Sequence, residues 1–147
     1  MKVDDITQSE ATAGVLLPCQ PCAPPRILVV DDEPAIRHVM TLSLVQSGYH
    51  VDAAEDGEAA WQALQAKHYD LLITDHSMPK VTGVALVKMV RARDMSLPVV
   101  LISGQIPTED LERHPWLRIS AILPKPFALD ALRDTVKNVL SAPTLIL

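Results

Sequence analysis

The sequence predicts an α/β protein: a doubly wound, five-stranded parallel sheet with helices on both faces, a three-layer sandwich whose fourth helix is shortened. Three observations carry this. Short β-branched runs alternate with longer stretches of helical periodicity. The runs are almost continuously apolar, as strands covered on both faces are. Several of them end abruptly in a carboxylate, hydroxyl or ammonium group.

The elements follow in order. Met1 to Pro25 has neither helical nor strand periodicity, and Pro18, Pro21, Pro24 and Pro25 break any regular element. Residues 1–25 are therefore expected to be a flexible, proline-containing leader, dispensable for the fold. The ordered domain is expected over 26–140, followed by a short tail, 141–147. Ile27-Leu28-Val29-Val30 is too short for a helix and ends in Asp31-Asp32. Pro34 suits a first helical turn, with Ile36, Val39, Met40, Leu42 and Leu44 behind it and Gly48 closing the helix. Tyr49 to Ala54 alternates as a strand. Asp56-Gly57 makes a turn, and Glu58 to Lys67 a helix with Ala59, Ala60, Ala63 and Leu64 inward. Tyr69 to Thr74 is the third strand, ending at Asp75, and a helix runs from about Gly83 to Arg93. Val99 to Ile102 is the fourth strand, ending at Ser103-Gly104. Thr108 can cap a helix, but Pro115 limits it to about two turns, with Trp116-Leu117 packing where its last turn would lie. Ile119 to Leu123 is the last strand, ending at Pro124-Lys125-Pro126, and Leu129 to Leu140 the last helix.

Composition narrows the function. The 147 residues make one ordinary domain, 48% hydrophobic and 21% charged, with a largely aliphatic core because only 3% are aromatic. A net charge of -5 argues against nucleic-acid binding through the bulk field of this chain. No apolar run approaches the roughly 18 residues of a membrane span. Cys19 and Cys22 form a lone C-x-x-C without further ligands at finger spacing, which reads as a reducing, cytoplasmic setting. The start of the chain, with Asp4, Asp5 and Glu10, lacks the basic region and apolar core of an export signal.

In a doubly wound sheet, ligands bind at the carboxyl ends of the strands. Those ends offer Asp31 and Asp32, then Asp75, Ser103 and Lys125. Three converging carboxylates repel one another and call for a cation. Oxygen-only donors suit Mg²⁺, which keeps waters and leaves room for a phosphoryl group. Lys125 is a point charge suited to a carboxylate or a phosphate oxygen, and Ser103 supplies a hydroxyl donor.

The stretches Ile27-Leu28-Val29-Val30-Asp31-Asp32-Glu33-Pro34, Leu72-Ile73-Thr74-Asp75-His76-Ser77-Met78-Pro79, Leu101-Ile102-Ser103-Gly104 and Leu123-Pro124-Lys125-Pro126-Phe127 resemble the receiver (phosphoacceptor) domain of two-component response regulators. The resemblance covers roughly Arg26 to Leu140 and implies a flavodoxin-like fold. It implies that Asp75 accepts phosphate from the phosphohistidine of a sensor histidine kinase or a histidine phosphotransfer protein. Asp32, Asp75 and the backbone carbonyl of Ser77 would ligate Mg²⁺, with Asp31 acting through water. Lys125 would pair with Asp75 and then with phosphate, and Ser103 would hydrogen-bond the phosphoryl oxygen. Gly83 matches a family glycine, and Lys125-Pro126 a peptide bond that is cis in the family.

Two features depart from the pattern. Ile122 stands at a switch position that is usually aromatic, and reads as sheet core. The stretch from Gln105 to Ser120 replaces a full fourth helix. Ser77 and Gln105, two residues past the acceptor and two past the hydroxyl, are uncharged, which implies hydrolysis of the acyl phosphate that is neither blocked nor strongly assisted. The expected function is a signalling module that catalyses only its own phosphorylation and dephosphorylation and acts by contact with an unidentified output protein. A homodimer and a receiver excised from a hybrid kinase both fit. The rival class is a Mg²⁺-dependent phosphohydrolase with an aspartyl-phosphate intermediate.

Overall fold

The computed structural model describes residues 23–141. The expectations for the rest of the leader, for Cys19 and Cys22 and for residues 142–147 lie outside the described residues. Five parallel strands form one sheet in the order β2-β1-β3-β4-β5: β1 (Arg26–Val30), β2 (His50–Ala54), β3 (Leu71–Asp75), β4 (Val99–Ser103) and β5 (Ala121–Pro124). The helices are α1 (Pro34–Gln46), α2 (Gly57–Ala66), α3 (Gly83–Ala92), α4 (Thr108–Arg113) and α5 (Leu129–Ser141), with a single 3-10 turn over Pro115–Leu117. Among the described residues no helix is long and apolar enough to cross a membrane.

The period of the strand sends successive side chains to opposite faces, and each face has its own core. Ile27, Val29, Leu71, Ile73, Val100 and Ile102 pack with Met40 and Leu44 of α1 and Leu132 and Val136 of α5. Leu28, Val30, Leu72, Val99 and Leu101 pack with Ala60 and Leu64 of α2 and Val84, Val87 and Val90 of α3. β3 and β4 are buried along their whole length, which explains their unbroken apolar runs.

Local chemistry sets the ends. Pro34 opens α1. Asp56 caps α2, its carboxylate accepting from the Ala59 N–H at 2.8 Å. Thr82 caps α3 by accepting from the Ala85 N–H. Gly48 closes the α1 turn with φ of +99°, a conformation that side chains disfavour.

Three expectations need correction. The third strand starts at Leu71 rather than Tyr69: Tyr69 turns inward before the ladder begins, and its hydroxyl donates to Asp52 at 2.7 Å. The fifth strand starts at Ala121 rather than Ile119, because Arg118 is left-handed (φ 52°) and the chain is still turning there. Thr108 does not cap α4. It is the first helical residue, Pro107 holds the cap position, and the Thr108 hydroxyl turns back to the Ile106 carbonyl.

The short fourth helix is present, and the residues after it divide. Leu117 is buried, whereas Trp116 is 47% exposed and does not fill the place of a last helical turn. The Trp116 and His114 rings meet in a T-shaped arrangement, 5.8 Å between centroids. What holds the segment is Arg91, buried on α3, whose guanidinium donates to the carbonyls of Leu117 (2.8 Å), Met95 (2.8 Å) and Arg118 (3.2 Å). Ile122 packs against the α2–α3 side of the core, as expected for sheet core.

Candidate functional site

The strand order reverses at β1, which lies between β2 and β3, and the polar strand ends gather beside that point. Asp75 is the last residue of β3 and Ser103 the last of β4. Asp31 and Asp32 follow β1, and Lys125 follows β5. Carboxylate oxygens of Asp31, Asp32 and Asp75 lie within 4.8 Å of one another. Asp31 (0% exposed) and Asp75 (2%) are sealed beneath the surface, while Asp32 faces solvent.

One cation serves the buried pair. Lys125 Nζ stands 3.2 Å from Asp75 Oδ1 and 3.8 Å from Asp31 Oδ2. Its backbone N–H donates to the Ser103 carbonyl at 2.9 Å, which extends the β4–β5 ladder and fixes the start of the side chain. The Lys125-Pro126 bond is cis, as the sequence resemblance implies. Asp31 Oδ1 accepts from the Glu33 N–H at 2.8 Å. Burial raises the pKa of Asp31 above the usual carboxylate range, and Asp75 and Asp32 add to that, against the lowering by the Glu33 N–H and Lys125. Asp31 Oδ2 and Asp75 Oδ1 are buried without a hydrogen-bond partner. These two buried oxygens share a single ammonium and accept no hydrogen bond, and in an all-oxygen donor set they fit a hard divalent cation such as Mg²⁺.

The backbone around Asp75 is held closely. The His76 N–H donates to the Ile102 carbonyl at 2.8 Å, and the His76 carbonyl accepts from Gly83 and Met78 at 3.0 Å. Gly83 sits against this loop: a β-carbon there would stand 2.5 Å from the Asp75 carbonyl oxygen. Ser77 is exposed and shares a polar cleft with Gln105, His76 and Thr108. Ser103 is buried, and its hydroxyl bonds the backbone of Gln105.

Sequence reasoning missed Arg37, whose guanidinium donates to the Asp31 carbonyl at 2.8 Å and ties α1 to the acidic loop. An arginine one turn into a helix carries no spacing signal that would single it out.

The family model for the response regulator receiver domain matches residues 27–137. The chain belongs to the response regulator receiver family. The flavodoxin-like reading stands with it, since the receiver fold is the five-stranded parallel sheet described above. This receiver is 36% identical over 113 residues to the sensor protein EvgS of Escherichia coli O157:H7, covering 77% of this chain and 9% of that protein. It is 32% identical over 115 residues to the transcriptional regulatory protein TctD of Salmonella typhimurium, covering 78% of this chain and 51% of that protein. The chain thus spans about half or less of these curated relatives. Among solved structures it is similar to the chemotaxis protein CheY4 of Vibrio cholerae, with a TM-score of 0.74 and 30% identity over 80% of this chain and 99% of that one. It is also similar to the response regulator TrrA of Thermotoga maritima in complex with Mg²⁺ and BeF, with a TM-score of 0.69 and 32% identity over 78% and 98% of the two chains.

Proposed function

We propose that this receiver takes a phosphoryl group onto Asp75 from the phosphohistidine of a sensor histidine kinase or histidine phosphotransfer protein, and passes the signal on by protein contact. The observation that carries the reading is the placement of Lys125 Nζ 3.2 Å from Asp75 inside a cluster of three carboxylates. The TrrA complex with Mg²⁺ and BeF supports it by analogy.

Asp31, Asp32, Asp75 and the backbone carbonyl of Ser77 would hold Mg²⁺, Asp31 through water. When bound, the ion neutralises charge on the transferring phosphoryl oxygens. The Asp75 carboxylate attacks phosphorus in line, an oxygen–phosphorus bond forms, and the nitrogen–phosphorus bond of the donor breaks, its electron pair returning to the imidazole. A carboxylate is a weak nucleophile, so the contribution of the chain is position and charge. Lys125 moves its pairing from the carboxylate to a phosphoryl oxygen, and Ser103 donates to another. The reaction alters only the receiver and its donor. A phosphohistidine made from ATP belongs in the cytoplasm.

The donor protein has to cover the crevice, and an apolar groove runs up to it. Ala35, Ile36 and Val39 of α1 line this groove together with Pro126, Phe127 and Leu129, and Lys125 of the site is also among its lining residues. Val39, Leu42 and Val45 are 44–48% exposed, a stripe of apolar surface on α1 that suits the apolar side of a partner helix.

Incubation with a small phosphodonor and Mg²⁺ is expected to add one phosphoryl group by intact mass, and Asp75→Asn to abolish it. Equal labelling of the variant would sink the assignment. Sustained turnover of an added phosphomonoester would favour a phosphohydrolase instead.

A further inference from the structure

Asp31 is held at three points. Its N–H donates to the Ala54 carbonyl at 3.2 Å, its Oδ1 accepts from the Glu33 N–H at 2.8 Å, and its carbonyl accepts from Arg37 Nη1 at 2.8 Å. Ala54 and Glu33 contribute backbone groups, whereas Arg37 contributes its side chain.

Arg37 also closes a ring of hydrogen bonds. Its own N–H donates to the Glu33 carbonyl at 3.0 Å, the Glu33 N–H bonds the Asp31 carboxylate, and the guanidinium returns to the Asp31 carbonyl. The ring joins the residue after β1, the turn that follows it and the first turn of α1.

The carbonyl that Arg37 holds belongs to the peptide unit leading into Asp32. A peptide unit is planar, so fixing its oxygen restrains the whole plane and with it the direction in which the Asp32 chain departs. Asp32 is exposed, so packing does not aim it, yet its carboxylate is one of the three that lie within 4.8 Å of one another. Arg37 bonds a carbonyl and not a carboxylate of the cluster, which leaves the pairing of charge to Lys125. What Arg37 supplies is direction.

We infer that Arg37 is a positioning residue for the cation site: through the Asp31 carbonyl it holds Asp31 and Asp32 in the arrangement that a divalent ion requires. The inference rests on the function proposed above. Mg²⁺ tolerates little departure from octahedral geometry, so a ligand released from its support costs affinity.

The test is amide NMR on the full chain, first without metal and then through a titration with Mg²⁺ alone. Arg37→Met keeps the apolar stem and removes the donors. It is expected to weaken Mg²⁺ binding by about tenfold, as loss of a group that supports a metal ligand does. Without metal, exchange of the Glu33 amide is expected to quicken by roughly threefold to tenfold, the worth of one ordinary hydrogen bond. Arg37→Lys, which keeps a donor on a slightly shorter stem, is expected to recover part of the affinity. Leu44→Val loosens the buried face of α1 without touching the ring, and is expected to bind Mg²⁺ as the wild type does. At saturating Mg²⁺, labelling of Arg37→Met by a small phosphodonor is expected to stay within about twofold of the wild-type rate, because the residue acts on binding of the ion and not on the transfer. An Arg37→Met protein that binds Mg²⁺ like the wild type overturns the inference. So does a Leu44→Val protein that loses as much affinity, an Arg37→Lys protein that recovers none, or labelling that stays depressed at saturation. A wild type that binds no Mg²⁺ defeats the site reading itself, and this inference with it.

Discussion

Gly83 lies so close to Asp75 that a β-carbon on it would stand 2.5 Å from the Asp75 carbonyl oxygen and 2.9 Å from the His76 Cα. Both obstacles are backbone, so neither can rotate aside. The start of α3 and the end of β3 are thereby seated against each other, and the side chain of Asp75 is aimed by that contact.

Gly83→Ala is accordingly expected to cost about 1–3 kcal/mol by overpacking, and to weaken the chemistry beyond that loss of stability. Urea unfolding measures the first effect, and the rate of labelling by a small phosphodonor at a temperature where the variant is fully folded measures the second. A variant with normal stability and normal labelling would show that the loop accommodates the methyl group.

The buried acid Asp31 yields a pH prediction. Its folded pKa lies above the unfolded value of 3.8, mainly through burial. The folded state then binds the proton more tightly than the unfolded one, so this group lowers stability as pH rises through the carboxylate range and above it. Asp31→Asn removes that penalty. The metal-free variant is expected to melt a few degrees above the wild type at neutral pH, with the difference shrinking in acid. Saturating Mg²⁺ should narrow it, because the wild type gains a bound ion that the variant holds less well. Thermal melts across pH, with and without Mg²⁺, check both signs.

On α1, Val39→Asp or Leu42→Asp places a charge on the exposed apolar stripe and touches neither core. Stability is expected to stay within about 0.5 kcal/mol of the wild type, as for ordinary surface substitutions. Labelling by a small phosphodonor should be unchanged, while transfer from a phosphorylated donor protein should fall by tenfold or more. Equal loss with both donors would place the stripe in the fold rather than in docking.

The sheet and the acidic cluster were legible because they follow from local pattern. Leu71 to Ile73 and Val99 to Ile102 have no polar alternation, which only burial on two faces explains. Asp75, Ser103 and Lys125 stand directly at strand ends, where parallel topology must gather them. Contacts between distant parts were not legible. Tyr69 is set by a bond to Asp52 on another strand, and Arg91 by the carbonyls of Leu117 and Arg118 more than twenty residues away. No spacing in one dimension encodes such a meeting. Thr108 was misjudged for a related reason: Pro107 had already fixed where the helix could begin.

The lack of any fully buried residue in α4 has a further consequence, for divergence. Substitutions at the exposed positions Thr108, Glu109, Glu112 and Arg113 have little folding stability to lose, whereas changes at Gly83 or Arg91 do. Were a partner protein to read α4, different partners could be matched by redrafting these exposed residues while the chemistry at Asp75 is kept.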